Sequence, residues 1–319
     1  MKRILVLGSL NIDLVLSVPR LAVPGETLEG AEGLRIYVGG KGANQACAAA
    51  RLGGDVRMAG KVGTDVFAER ILRELRRAGV QTELIGSSSE PSGSAVIFVL
   101  PSGENTIVIS PGANGDVPLS FALSAVEEVD AGDILLCQFE TPIEVVAATL
   151  KAAHKKGVIT ILDPAPGRRV SEELLSCVSV LTPNQTETAI LLGRAESPAT
   201  FDEASVAAHT LQQYGAQSVI IKMGAAGCWV LDKGDASTIQ GYPVSVVDTT
   251  AAGDTFNGAL ATSLARGDTL VEAARFANAA AALSVTRSGA IASIPDLAEV
   301  EAFLEAQAVP IEETHVYDQ

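Results

Sequence analysis

The sequence is poor in aromatic residues, which make up 4% of 319 residues and include one tryptophan. It has three histidines and four cysteines. Cys47, Cys137, Cys177 and Cys228 form no C-x-x-C pair, and His154, His209 and His315 stand at no ligand spacing to them, so neither a disulfide framework nor a zinc site is indicated. Basic residues are also short, at 23 Lys and Arg against 38 Asp and Glu, a net charge of -15. That balance argues against nucleic acid or an anionic membrane as partner, and an anionic ligand must be held by local features. No apolar run approaches the ~20 residues that span a bilayer. The run Ile4 to Leu7 behind Met1-Lys2-Arg3 is too short for a signal peptide and leads into Asn11 and Asp13, so it reads as the first buried strand of a cytoplasmic protein. No G-x-G-x-x-G follows it, which counts against a dinucleotide site.

A hydrophobic share of 47% with 30 glycines suits an α/β protein with a buried parallel sheet and many tight turns. From Asp133 the chain alternates in the expected rhythm, with strands over 134–139, 158–162 and 178–181 and a helix over 143–155. Phe67, Ile71 and Leu75 mark one face of a helix over 65–78, which Gly79 stops. Arg70, Arg73, Arg76 and Arg77 are interleaved with Glu69 and Glu74 there, the pattern of a solvated face. Four short alternating segments, 14–18, 34–38, 95–100 and 106–110, have no helices between the members of each pair. They read as a small separate sheet.

The densest cluster of small and charged residues is Val247-Asp248-Thr249-Thr250-Ala251-Ala252-Gly253-Asp254-Thr255-Phe256-Asn257-Gly258. A strand pattern over 242–247 precedes it, and Phe256, Leu260 and Leu264 follow at helical spacing. Residues 250–254 are therefore the turn into a helix that stops before Gly267. The opening amides of a helix lack intrahelical partners and carry the positive end of its dipole; Ala251, Ala252 and Gly253 leave them uncovered, which makes an anion hole. Asp254 beside that hole has two readings. It balances the dipole, or it is a general base that takes a proton from a hydroxyl while the hole steadies the phosphoryl group under attack.

Gly39-Gly40-Lys41-Gly42-Ala43-Asn44 precedes an Ala-rich helix over 45–51. It lacks the spacing of a nucleotide P-loop, with Gly42 where Ser or Thr would stand, and reads as a hinge. Asn11 and Asp13, Glu140, and Asn184 with Glu187 all lie past the carboxyl ends of expected strands, where open α/β sheets place ligand groups. Each reads equally as a polar turn, and Glu187 as a first-turn helix carboxylate with Thr182 as cap. Gly224-Ala225-Ala226-Gly227, between strands over 218–223 and 228–231, is either a tight turn or a place where a nucleotide approaches the backbone.

Asn11-Ile12-Asp13, Gly39-Gly40-Lys41-Gly42-Ala43-Asn44-Gln45-Ala46, Thr182-Pro183-Asn184-Gln185-Thr186-Glu187 and the 247–260 segment occur in this order across almost the whole chain. Together they resemble the ribokinase (PfkB) family of sugar kinases. The resemblance implies a ribokinase-like three-layer α/β sandwich, one kinase domain over 1–319, with a mostly parallel central sheet and a small β lid inserted from 14–40 and 93–112. It implies an ATP-dependent phosphotransferase acting on the 5-hydroxyl of D-ribose. Within the class, 2-deoxyribose, another sugar or a nucleoside are alternatives; outside it, a catalytically silent sugar-binding sensor.

The roles the resemblance implies are as follows. Asp254 is the base, with the amides of Ala251, Ala252, Gly253 and Asp254 as the hole. Asn11, Asp13, Gly40, Lys41, Asn44 and Glu140 hold the sugar. Asn184, Glu187, Lys222, Gly224, Gly227, Gly253 and Asn278 hold ATP, Lys222 standing where the family pattern has Thr. Glu187 meets Mg2+ through water. K+ is held mainly by backbone carbonyls of Asp248, Thr250, Ser284, Arg287, Gly289 and Ser293, in a loop that follows a helix over 270–285. The lids of two subunits pair, giving a homodimer. A closing helix over 295–304 leads to an acidic tail, 309–319, expected to fray.

Overall fold

The computed structural model describes residues 1–308; the expected frayed tail lies outside them. The strands are β1 (Arg3–Leu7), β2 (Asn11–Ser17), β3 (Arg35–Gly39), β4 (Asp55–Val62), β5 (Ile85–Ser87), β6 (Gly93–Val99) and β7 (Asn105–Ser110). They continue with β8 (Ile134–Cys137), β9 (Ile159–Leu162), β10 (Val180–Leu181), β11 (Ser218–Lys222), β12 (Gly227–Asp232) and β13 (Asp235–Gln240). The helices are α1 (Lys41–Arg51), α2 (Val66–Arg77), α3 (Leu119–Glu127), α4 (Ile143–Lys155), α5 (Glu172–Leu175), α6 (Gln185–Leu192), α7 (Phe201–Gln213), α8 (Ala252–Arg266), α9 (Leu270–Ser284) and α10 (Leu297–Ala308).

The main sheet runs β13-β12-β11-β10-β9-β8-β1-β4-β5, parallel from β11 to β5 and antiparallel at β12 and β13. Alternate residues of its central strands enter opposite cores, as the two-residue repeat of a strand requires. Ile4, Val6, Ile134, Leu136, Ile161 and Ile220 pack with α1, α2, α8, α9 and α10. Leu5, Leu7, Leu135, Cys137, Leu162 and Ile221 pack with α3 to α7. That burial on both faces explains why these strands are apolar without interruption. The result is the expected three-layer α/β architecture.

A second, four-stranded sheet has the order β3-β2-β6-β7. Its outer pairs are antiparallel, but β2 and β6 pair in parallel, joined by a crossover through the main body. β7 is exposed along its whole length. β2 begins at Asn11, so Asn11 and Asp13 belong to this sheet rather than to a turn after β1. Alternation puts both on one of its faces.

Two further expectations are corrected. The 242–247 stretch forms no strand: β13 ends at Gln240, Pro243 offers no N–H, and Val246 and Val247 lie exposed. Helix α1 starts at Lys41, not Gln45, so only Gly39 and Gly40 of the expected hinge precede the helix. β4, β5 and β13 lie in segments the sequence reading left unassigned; in β4, Arg57, Gly60 and Lys61 break the apolar pattern.

Helices α1 and α8 meet through Gly258. A Cβ there would lie 2.6 Å from Ala48 Cβ and 2.6 Å from the Gln45 carbonyl oxygen, and backbone cannot yield cheaply. Gly258→Ala should therefore cost about 1–3 kcal/mol of stability through overpacking, read as a lower urea midpoint at unchanged slope. An unchanged midpoint would show that the two helices separate freely.

Candidate active site

The first turn of α8 carries the site's central carboxylate. Ala251 precedes the helix in the left-handed region (φ 59°), one of two non-glycine residues with positive φ among those described. The Ala252 amide bonds the Thr249 carbonyl at 3.2 Å. The Gly253 and Asp254 amides have no backbone acceptor among the described residues and remain to meet an anion. Asp254 is 6% exposed. Its Oδ2 accepts from Asn44 Nδ2 at 2.9 Å and its Oδ1 from Gln45 Nε2 at 3.0 Å. Burial pushes its pKa up, against the pull of Lys41 and of these two donors.

On the small-sheet side, the Asn11 carboxamide oxygen accepts from Asn114 Nδ2 at 2.7 Å. Asp13 stands opposite Tyr37, beside Gly39, where a Cβ would come within 2.1 Å of its Oδ2. Gly40 turns the chain at φ 91° into α1. Glu140 accepts from the Lys41 amide at 3.1 Å and from the Ser9 hydroxyl. Burial opposes the charge of Lys41, but Asp254, Asp163, Glu140 and Glu187 outweigh it and hold the ammonium above its ordinary pKa. Asn44 Oδ1 is buried with no protein partner.

A cavity of about 820 Å³ opens on the other side of Asp254, a size usual for ligand sites. Lys41, Asn184, Glu187, Lys222, Gly224, Gly227, Ala251, Ala252, Gly253, Asp254 and Asn278 all line it. The cap of α6 is Asn184, not Thr182: it and Glu187 exchange side-chain-to-amide bonds of 2.8 Å, and Thr182 is buried behind them. Burial pushes Glu187 up, while Lys222 pulls it down. Asn278 Nδ2 donates to the Gln240 carbonyl at 2.9 Å, fixing the end of β13 at the cavity wall. Among the described residues no group of three or more His, Cys, Asp and Glu forms a metal cluster, and no helix is long and apolar enough to cross a membrane.

Residues 1–297 match the model of the pfkB family carbohydrate kinases. The chain belongs to this family. It is 43% identical to a ribokinase of Haemophilus influenzae over 305 residues, covering 95% of this chain and 99% of that one. It is 33% identical to a deoxyribokinase of Salmonella typhi over 303 residues, covering 94% and 98%. Among solved structures, the Arabidopsis thaliana ribokinase complexed with ribose and ATP superposes with a TM-score of 0.88 at 35% identity, covering 95% and 99%. The Thermotoga maritima ribokinase gives 0.85 at 37%, covering 96% and 100%. An ATP-dependent carbohydrate kinase of this family works with a divalent metal on its nucleotide.

In this pfkB kinase the loop after α9 folds back onto the segment before α8. Asp248 Oδ1 accepts from the amide and hydroxyl of Thr250 at 2.9 and 2.6 Å, and its Oδ2 from the Gly289 amide at 2.8 Å. Burial opposes ionisation of Asp248, yet these donors outweigh it and keep the carboxyl below its usual range. Ser284 and Ser293 hydroxyls donate to the carbonyls of Ala281 and Ala290, and the Arg287 guanidinium is taken by Glu299 at 2.6 Å. Of the charged side chains among these residues, Asp248 faces the loop while Arg287 is paired with Glu299.

Sequence reasoning missed Ser9, Asn114, Gln138 and Asp163, and gave Gln45 no role. Asp163 directly follows β9 and is 2% exposed, and the rule that strand carboxyl ends carry ligand groups points to it.

Burial, reinforced by Glu140 and Asp254, pushes the Asp13 carboxyl from 3.8 up to about 6. The folded chain therefore keeps this proton to a higher pH than the unfolded chain. The stability Asp13 contributes is full below about pH 4 and is lost as pH rises through about 6. Asp13→Asn should remove that fall, so that urea stability at neutral pH, relative to acid, improves in the variant. Identical pH dependence in the two proteins would mean that Asp13 titrates normally.

Proposed function

We propose that this chain is an ATP-dependent ribokinase, which moves the γ-phosphoryl group of ATP to the 5-hydroxyl of D-ribose and releases ribose 5-phosphate and ADP. The observation that carries this reading is a buried carboxylate in the first turn of a helix whose free amides face a large cavity. Asn11, Asp13 and Glu140 offer polar groups on its other side. Asp254 takes the hydroxyl proton as the oxygen attacks in line. The Gly253 and Asp254 amides meet the charge on the transferring group, which is where such donors matter most. Lys41 offsets the same charge. A sugar hydroxyl donates to the otherwise unpartnered Asn44 Oδ1, and ionised Asp13 accepts from others.

A divalent metal, Mg2+ in this reading, neutralises phosphate charge when bound. Glu187 has one carboxylate oxygen not used in its cap, sparse provision that suits an ion that keeps several waters. The ionised Asp248 and the backbone of the 284–293 loop suit K+ beside the anion hole. The small sheet acts as a lid hinged at Gly39 and Gly40. Its exposed Ile107, Val108 and Ile109 and open edges favour pairing with a second copy, in a cytoplasmic homodimer.

Coupled ADP release should be fastest with ribose when compared with 2-deoxyribose, fructose and adenosine, and faster in potassium than in sodium. Preference for 2-deoxyribose would shift the reading to a deoxyribokinase; ribose binding with no turnover would make the protein a sensor. Asp254→Asn should lower kcat by about 10² to 10⁴-fold with the fold intact, and near-normal turnover would reject Asp254 as base. Light scattering at micromolar concentration should report a dimer; a monomer would remove the lid-pairing proposal.

A further inference from the structure

Gln45 is fully buried on α1 and its single Nε2 donates to two carboxylates, Asp254 Oδ1 at 3.0 Å and Asp163 Oδ2 at 2.9 Å. Its Oε1 accepts from Gln138 Nε2 at 2.6 Å. This sets the amide's orientation. Turned the other way, its oxygen would face two carboxylate oxygens with no proton between them, and its nitrogen would face another donor. Asp163 Oδ1 in turn takes Lys222 Nζ at 3.0 Å, in a pair that is 3% and 13% exposed. One amide thus joins the carboxylate in the first turn of α8 to the end of β9, and through it to a lysine on the wall of the nucleotide cavity. Burying two amides and two carboxylates here costs more than an apolar contact of the same shape, so packing alone does not account for them.

We propose that Gln45 is a positioning residue for phosphoryl transfer, holding the Asp254 carboxylate at its working angle and tying that angle to the Asp163–Lys222 pair on the nucleotide side. The inference rests on the reading of Asp254 as the base. The charged groups that act on Asp254 are Lys41 from α1, Asp163 from the end of β9 and, from β2, Asp13; its side-chain donors are Asn44 and Gln45. A donor bonded to the ionised form favours that form. Losing the Gln45 donors therefore moves the acid limb of kcat to higher pH.

The test compares Gln45→Met with Asp254→Asn in the ribose and ATP assay across pH, with thermal unfolding as a check on the fold. Gln45→Met should lower kcat by on the order of 10²-fold, leave both KM values nearly unchanged, and shift the acid limb upward. Normal turnover in Asp254→Asn would overturn the base assignment. Collapse of Asp254→Asn beside an unshifted acid limb in Gln45→Met would overturn the positioning role alone, whatever the loss of stability. Should Gln45→Met fail to fold, Gln45→Met/Gln138→Leu removes the stranded amide as well. In the unmodified enzyme, side-chain ¹⁵N resonances of Gln45 should move with pH as Asp254 titrates and lose that response in Asp254→Asn; resonances that ignore pH would overturn the proposal without any Gln45 variant.

Discussion

Holding one carboxyl group out of water is the constraint on which the rest of this structure depends. Withdrawing such a group from solvent costs several kcal/mol unless donors and cations replace the water. Asp254 has one cation, two amide donors and the open end of a helix around it. The compensating groups come from one turn of α1: Lys41, Asn44 and Gln45 stand at i, i+3 and i+4, the spacing that gathers side chains on one helix face. That face reaches Asp254 only if α1 and α8 lie unusually close. Gly258 against Ala48 and the Gln45 carbonyl permits that approach. The close helix packing and the polar site are therefore one arrangement, and bulk at the contact would pull donors from the carboxylate as well as loosen the core.

The small sheet is tied to the same point. β2 carries Asn11 and Asp13 on one face, and its pairing with β3 sets Gly39 opposite Asn11 and Tyr37 opposite Asp13. Gly39 makes room for the Asp13 carboxylate, and Gly40 reverses the chain directly into Lys41. Any movement of β3 is thus transmitted within two residues to α1, whose side chains hold the Asp254 carboxylate. In the proposed reading of the small sheet as a lid, its closure would shift Lys41, Asn44 and Gln45 in the same motion, the coupling expected of lids that exclude water.

Much of this was legible in the sequence, and what was not has specific causes. The α8 turn, its uncovered residues and its stop at Gly267 are local, and local chemistry writes them plainly. The partners of Asp254 are not local. The motif reading ran the hinge through Asn44 and began the helix at Gln45, which broke the i, i+3, i+4 register and left Gln45 without a role. Asp163 was given no role because nothing near it in sequence announces Lys222, 59 residues on. The alternation over 242–247 imitates a strand, since apolar residues there face a cavity and solvent rather than a sheet neighbour. Glu187 closes the capping box of α6, with Asn184 rather than the expected Thr182 as cap, and also lines the cavity.

The charge balance of the site follows from the same geometry. Lys41 and Lys222 are its cations, against the carboxyl groups of Asp13, Glu140, Asp163, Glu187 and Asp254. Burial with mutual repulsion raises the pKa of Asp13, burial that of Glu187 and Asp254, which lessens the excess without reversing it. In a chain of net charge -15, no long-range attraction draws a polyphosphate into such a place. A bare nucleotide would add negative charge beside carboxylates that the proposed mechanism needs ionised, and would raise their pKa further. A nucleotide that arrives with its divalent cation brings most of its own neutralisation, and then the two free amides of α8 and the two lysines suffice for the rest. In the proposed kinase this excess of carboxyl groups over lysines would favour the metal–nucleotide complex, with no dedicated metal cage needed among the described residues.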